Sequence, residues 1–404
     1  MTIMQSFKEV FKTKDFLLLW FSQTFSQLAD RMLVGVLLLQ VHNLTTNKLG
    51  LAIPMLSFGI SALIFSLIAG VYVDRWKKKM ILVVSNLIRI VLISIFIFLP
   101  FTTNSLVYLF IVSFLIFTVA QFFLPAETSS IPLLVKKKDL TAANSLFMVT
   151  WMGSTVVGFA LIPVLAFFQL TLENMYVFTA IFYAIAAIIA SLMHFPEYST
   201  CAEHSYQQII KDLTLGLEFI RRNFIVRITL FNLFVATTVL AILSELAIDF
   251  VASIIGIQKT YFGYFIALSG VGMFFGIITI NIFNELKRGI LISIGFLITG
   301  IILIFLSYTN TVIMALVLIF FLGVGNGYIT IPIQTTIQAK TPKHVRGRVF
   351  GIQNMIVNSA FTIPVVIGGY LANILSTSMV FYSLGILVLI VGLINVIIPK
   401  ARTL

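Results

Sequence analysis

Apolar runs of about 20 residues recur along the whole chain, broken by short clusters of charged and turn-forming residues. A run of about that length is what a helix needs to cross roughly 30 Å of hydrocarbon. In lipid, every backbone N–H and C=O must find its partner inside the protein, so such runs are helices rather than loops or open strands. Twelve can be drawn, at 16–41, 50–73, 80–100, 106–133, 143–168, 175–196, 226–253, 261–283, 289–308, 312–337, 348–374 and 378–399. Only 10% of the residues are charged, against about 25% in ordinary globular chains, so the chain lacks the polar surface to face water all round. The expected fold class is all-α, a polytopic membrane protein with twelve transmembrane helices. The stretch MTIMQSFKEVFKTKDFLLLW sets basic residues before an apolar run, as a secretory leader would. That run is too long and lacks a small-residue cleavage site, so it reads as a retained first span.

The charge pattern orients these spans. Of the 26 Lys and Arg, 22 fall on one set of alternate connections, and only Lys48 and Lys259 fall on the other. Cytoplasmic loops carry the positive excess, so the N-terminus and the C-terminus are both expected in the cytoplasm. The net charge of +12 is thus an orientation signal and not a nucleic-acid surface. A single cysteine, Cys201, excludes a disulfide framework or a cysteine metal site. The four histidines are scattered without metal-ligand spacing, and no HExxH, phosphate-binding P-loop or GxSxG occurs. Gly323-Val-Gly325-Asn-Gly327 has no strand before it and reads as a close-packing or bending site in the tenth span. Neither an enzyme, a cofactor nor a metal is expected.

The connections are short except near 197–225, which divides the chain into 1–196, a six-helix bundle, and 226–404, a second one. Within this linker Ile209, Leu213, Leu217 and Ile220 recur at helical spacing among Lys211, Asp212, Glu218 and Arg221. The pattern predicts an amphipathic helix on the cytoplasmic membrane surface. The halves echo each other: GLAIPMLSFG at 50–59 corresponds to GYFIALSGVG at 263–272. Two six-helix pseudo-repeat bundles are the organisation of many secondary transporters, whose substrate sites lie at the repeat interface.

Charges inside spans need a reason, because one at a helix centre costs about 2.5–3.5 kcal/mol on insertion scales. In the first span Gln23, Gln27, Asp30 and Arg31 occupy one sector with Trp20, so one helix face is polar for two turns and is expected to look into the bundle. Asp30 and Arg31 point about 100° apart on a helix and do not pair merely by adjacency. In the seventh span Thr238, Glu245 and Asp249 share a stripe. Glu127 lies near the cytoplasmic end of the fourth span beside Pro125, suited to a gate contact or a substrate contact. For all of these a substrate or proton pathway is one reading; a structural pair locking two helices is the other.

Three stretches resemble the major facilitator superfamily, specifically its macrolide-efflux and enterobactin-exporter-like branch. GVYVDRWKKKMILVVSNLIRI (70–90) is similar to the superfamily's loop signature, with Gly70, Asp74, Arg75, Lys78 and Lys79 in register. Asn86 and Arg89 then fall where the branch has Asp and Arg in the third helix. PAETSSIPLLVKKKDLTAANSL (125–146) matches the turn between the fourth and fifth helices. TPKHVRGRVFGIQN (341–354) resembles the Arg-Gly-Arg pattern before helix eleven, here Arg346, Gly347 and Arg348. Lys77 replaces the second glycine of the loop signature, and the fourth-helix arginine and fifth-helix Gly-Pro pair of many drug–proton antiporters are missing.

The resemblance implies a major facilitator fold in a bacterial inner membrane, with helices one, four, seven and ten lining a central path. It places Asp30 and Glu245 where substrate or protons could meet them, and the 70–79 loop as a gating contact with helix eleven. Arg89 is expected to neutralise an acid or hold helix packing. The implied function is a monomeric exporter of a small amphipathic molecule, such as a macrolide or other drug, by alternating access, with membrane lipid around it and the proton as coupling ion. A dedicated exporter of a siderophore or lipid-like metabolite is the nearer alternative, and a non-transporting sensor or assembly partner the more distant one.

Overall fold

The computed structural model describes residues 3–98, 105–194, 206–280, 287–342 and 345–398, with backbone alone at 3–6, 67, 70, 71, 74, 75 and 206–213. Among the described residues the secondary structure is entirely helical. A short amphipathic helix, α1 (Ile3–Lys12), precedes the spans α2 (Lys14–Leu44), α3 (Ala52–Arg75), α4 (Lys78–Phe98), α5 (Leu106–Leu134), α6 (Leu140–Phe167) and α7 (Leu172–Ser191). After α8 (Tyr206–Arg222) come α9 (Phe224–Asp249), α10 (Phe262–Ile280), α11 (Arg288–Tyr308), α12 (Val312–Lys340), α13 (Arg346–Ser359), α14 (Ile363–Ile374) and α15 (Thr377–Ile397).

Eleven stretches among the described residues are long and apolar enough to cross a membrane. The twelfth expected span is α2, which has the length at 31 residues but is too rich in Ser, Gln and charge to count as uniformly apolar. Several of its polar groups, Ser22, Ser26 and Asp30 among them, have partners inside the protein. The run 348–374, drawn as one helix, is two. The chain breaks at Ala360–Thr362, where Thr362 leaves helical geometry (φ −113°, ψ −107°) ahead of Pro364 at the start of α14. Pro364 sits in the first turn of α14, where its missing N–H has no intrahelical partner to lose, so it marks a helix start and not a helix interior. By contrast Pro125, Pro132, Pro163 and Pro332 sit within continuous helices, as membrane helices tolerate.

The chain forms two compact units, residues 1–40 with 61–203 and residues 41–60 with 204–404. In the first, α4 packs against α7 and α5, over a core including Phe16, Leu19, Leu82, Phe123 and Met193. In the second, α11 packs against both α12 and α15, and α10 against α12. Lipid offers no hydrophobic force between helices, so close backbone approach and interhelical hydrogen bonds must hold them. Asn232 of α9 and Asn395 of α15 exchange two amide hydrogen bonds of 3.0 Å. The glycine run of the tenth span is a close-packing face: a Cβ on Gly323 would strike the Ser269 carbonyl oxygen of α10, and one on Gly327 the Met273 carbonyl.

A 3-10 turn leads into each repeated stretch, Lys48–Leu51 running into α3 and Lys259–Tyr261 into α10. Their terminal glycines both meet a backbone carbonyl, Gly59 that of Phe361 and Gly272 that of Phe320. The linker region does contain a helix, α8. Its Gly216 and Ile220 are buried, Gly216 closing on Ile352 and Arg348 of α13, while Leu217 is exposed. The side chains of Ile209 and Leu213 lie outside the described residues.

Replacing Gly323 by Ala forces α10 and α12 apart and is expected to cost about 1–3 kcal/mol, the usual range for overpacking. Gly153 has open space around its Cβ position, so Gly153→Ala is expected to leave stability unchanged or raise it. Thermal unfolding of the two purified variants in detergent checks both.

Candidate functional site

Each unit carries its own set of buried charged and polar groups. In the first unit α2 lies with one face on α7 and α4. Ser22 Oγ donates to the Ala186 carbonyl at 2.8 Å, and Gln40 accepts from the Tyr176 hydroxyl. Between these contacts Asp30 accepts from the Tyr183 hydroxyl and forms an ion pair with Arg89 Nη1 at 3.6 Å. Arg89 is fully buried on α4. It also donates to Ser26 Oγ at 3.1 Å, and Ser26 donates to Asn86 Oδ1 at 3.1 Å. Its guanidinium lies over two rings, Phe123 at 5.0 Å and Tyr183 at 5.2 Å. Nη1 carries these polar contacts, while Nε and Nη2 have no hydrogen-bond partner among the described residues; the carboxylate and the π faces offset the burial of the charge.

Glu127 sits one turn beyond Phe123 on α5 and is 2% exposed. It lies within electrostatic range of Asp30 and Arg89, yet its Oε2 has no hydrogen-bond partner among the described residues. Gln23 and Gln27 are buried too, Gln23 with its carbonyl oxygen unpartnered. Arg31 turns away from its neighbour Asp30 and stacks over Trp151 of α6 at 5.2 Å. The pair read in the sequence as adjacent opposite charges therefore serves two different helix contacts.

In the second unit Glu245 is completely buried, and neither carboxyl oxygen has a partner among the described residues. Gly369 of α14 faces it so closely that a Cβ there would strike Glu245 Oε1 and crowd the Lys48 carbonyl. One turn on, Asp249 is fully engaged. It pairs with Lys48 Nζ at 2.9 Å and accepts from Ser253 at 2.9 Å and from the Thr377 hydroxyl. After Asp249 the helix widens into a π turn, Phe250–Ile254. The other cation of this face, Lys259, donates to Asn43.

Gly70, Asp74 and Arg75 lie at the end of α3, with side chains outside the described residues; Lys78 and Lys79 open α4. Arg346, at the first turn of α13, donates to the carbonyls of Gln338 at 3.1 Å and Thr341 at 3.3 Å, closing the end of α12. Gly347 is exposed and Arg348 is half-buried. No cluster of potential metal ligands occurs among the described residues.

The expected residues thus form separate groups. Asp30, Arg89 and Glu127 come together in one unit, Glu245 and Asp249 stand a turn apart in the other, and Arg31 has its own aromatic partner. Sequence reasoning missed Tyr183 and Lys48. Tyr183 had a signal in its spacing, seven residues after Tyr176 on a largely apolar span. Lys48 had one in its rarity, as one of two cations on the sparsely charged face.

The family model of the Major Facilitator Superfamily matches residues 19–364. The chain belongs to that superfamily. Its members are transporters rather than enzymes, and the expected fold holds. Over 398 residues, 94% of this chain and 92% of the relative, it is 25% identical to YfiS, an uncharacterized transporter of the same type from Bacillus subtilis (strain 168). Among solved structures it is similar to the nucleoside transporter NupG, with a TM-score of 0.72 at 14% identity over 95% of this chain and 98% of that one. A POT family transporter in complex with a thioalcohol-conjugated peptide gives a TM-score of 0.74 at 13% identity over 95% of each chain. These likenesses establish the fold; the substrates in their names belong to those proteins.

Asp30→Asn leaves the Arg89 guanidinium buried without its carboxylate. The expected cost is about 3–5 kcal/mol, as when one partner of a buried pair is removed. Asp30→Asn combined with Arg89→Met is expected to recover at least half of it. Unfolding midpoints of the two single variants and the double variant measure the coupling.

Proposed function

We propose that this superfamily member is a proton-coupled exporter of amphipathic organic compounds, of the macrolide-efflux and enterobactin-exporter-like branch. It works by alternating access as a monomer in a bacterial inner membrane, with both termini in the cytoplasm. The observation that carries the coupling is a pair of buried carboxyl groups without full hydrogen bonding, Glu127 in the first unit and Glu245 in the second. An isolated carboxylate deep in an apolar bundle is costly. Each group can hold a proton while dry and release it once water reaches it, which is what a carrier of protons requires.

The sequence alone suggested Asp30 with Glu245 as the alternating acids. The geometry favours Glu127 for the first role, because Asp30 is already compensated by Arg89 and Tyr183. Asp30 then holds Arg89 in place beside Glu127. The Lys48–Asp249–Thr377 contacts tie the 41–60 segment to α9 and α15 and act as a latch on the face opposite the basic loops. Substrate contact falls to the polar stripe of α2, where Gln23, Gln27 and Arg31 lie. The Arg346 cap of α12 and the cations at the start of α4 serve the cytoplasmic gate.

Everted membrane vesicles carrying the overproduced protein are expected to accumulate amphipathic fluorescent drugs when a proton gradient is imposed, and to lose them when nigericin dissipates it. Glu245→Gln and Glu127→Gln are each expected to lower gradient-driven accumulation at least tenfold, about 1.4 kcal/mol, while exchange of labelled for unlabelled drug continues. Full gradient-driven accumulation in both variants would sink the coupling. Absence of any accumulation by the wild type would sink the export reading itself.

A further inference from the structure

The first unit holds an arginine, Arg31, that lies in the field of Asp30 but closes no salt bridge with it. Arg31 takes part in none of the ion pairs among the described residues. The Asp30 carboxylate beside it in sequence is spent on Arg89 and Tyr183 across the helix. Arg31 Nε is buried and has no hydrogen-bond partner. What Arg31 has instead is an aromatic face, Trp151, at 5.2 Å. An arginine in mid-span cannot be left to hydrocarbon, so one whose guanidinium closes no salt bridge faces water or a visiting partner.

The surroundings are built rather than incidental. Gly158 brings α6 so close to α2 that a Cβ there would strike Arg31 Cβ and crowd the Leu28 carbonyl. This approach fixes the root of the arginine against α6. Trp20 Nε1 donates to Thr150 Oγ1 at 2.7 Å, tying the same two helices three turns away. On the same side of α6 as Gly158, Ser154 is 3% exposed and its hydroxyl has no partner. Trp151 is 45% exposed and Met148, one turn before it, 60%. An arginine anchored at its root with its guanidinium over Trp151, a hydroxyl without a partner among the described residues, and an adaptable apolar strip of Trp and Met therefore lie along one edge of α2 and α6.

From this juxtaposition we infer that the transported molecule is an organic anion. Its carboxylate, sulfonate or phosphate is received by Arg31, and its apolar body lies along Trp151 and Met148. Guanidinium is suited to the task because its planar fork donates to two oxygens at once while its face stays on the indole. The thioether of Met148 conforms to bodies of different shape. This inference rests on the export reading for the word transported; the binding site itself does not.

The test uses the purified full chain in lipid nanodiscs and three probes sharing one aromatic body: 1-pyrenebutyric acid, its methyl ester, and 1-pyrenebutylamine. Fluorescence anisotropy is expected to show the acid bound at least about tenfold more tightly than the ester or the amine, the scale of one charge-assisted contact. Arg31→Gln is expected to bring acid and ester within about twofold of each other without weakening the ester. Arg31→Lys keeps part of the preference, and Trp151→Ala weakens acid and ester alike. Equal binding of the three probes by the wild type overturns the inference, and that comparison needs no variant to fold. So does a full acid preference surviving in Arg31→Gln. Everted vesicles separate the two readings. An Arg31-dependent acid preference without gradient-driven uptake of any probe removes transport and leaves the anion site. Uptake of ester and amine, with Arg31→Gln indifferent, removes the anion site and leaves transport.

Discussion

The ion pair between Asp30 and Arg89 is the contact on which the first unit depends. Arg89 is fully buried on α4, and an unpaired guanidinium in that position would be untenable in an apolar bundle. Asp30 resolves it, and in doing so fixes the rotation of α2 about its own axis. Once Asp30 faces Arg89 and Tyr183, Ser22 and Ser26 fall onto α7 and α4, and Arg31 must emerge on the α6 side. The direction of the polar stripe is thus set by electrostatics, with packing filling in behind it.

The second unit solves its buried charge differently. Asp249 has three donors, Lys48, Ser253 and Thr377, while Glu245, one turn earlier on the same helix, has none among the described residues. Two acids on one stripe therefore have opposite environments. One is tied to a lysine and two hydroxyls; the other lies buried against Gly369 with no hydrogen-bond partner among the described residues. Helix periodicity alone could not separate them, because the difference comes from Lys48 and Thr377, which are distant in sequence.

Most of the fold was legible in the chain. Apolar run length located the spans, and the skewed distribution of Lys and Arg, which left Lys48 and Lys259 isolated, singled out two cations that both proved to have partners. Spacing drew Gln23, Gln27, Asp30 and Arg31 as one polar stripe of α2, which the structure divides between α4 and α7 at Asp30 and α6 at Arg31; the close-packing role of Gly323 and Gly327 was readable. The break at Ala360–Thr362 was signalled by Pro364 but hidden inside a continuous apolar run. The pairing of the buried groups was not legible. Asp30 meets Arg89 and Tyr183 across 59 and 153 residues of sequence, and only three-dimensional packing decides which of several buried acids receives a cation. Equally, nothing in the sequence revealed that Arg31 would lie over Trp151 and close no salt bridge among the described residues.

The grouping of residues 41–60 with the second unit carries a consequence for how the chain is wired. The polypeptide passes between units three times, at 40–41, 60–61 and 203–204, rather than once at the linker. A polypeptide cut in the linker would still yield a first fragment bearing a tongue, the end of α2 and the start of α3. The seat of that tongue, Asp249, Thr377 and Gly369, is made by the second fragment. Two co-expressed halves would thus carry their own instructions for finding each other, and the covalent linker would be dispensable for partnering though not for the copy number of each half.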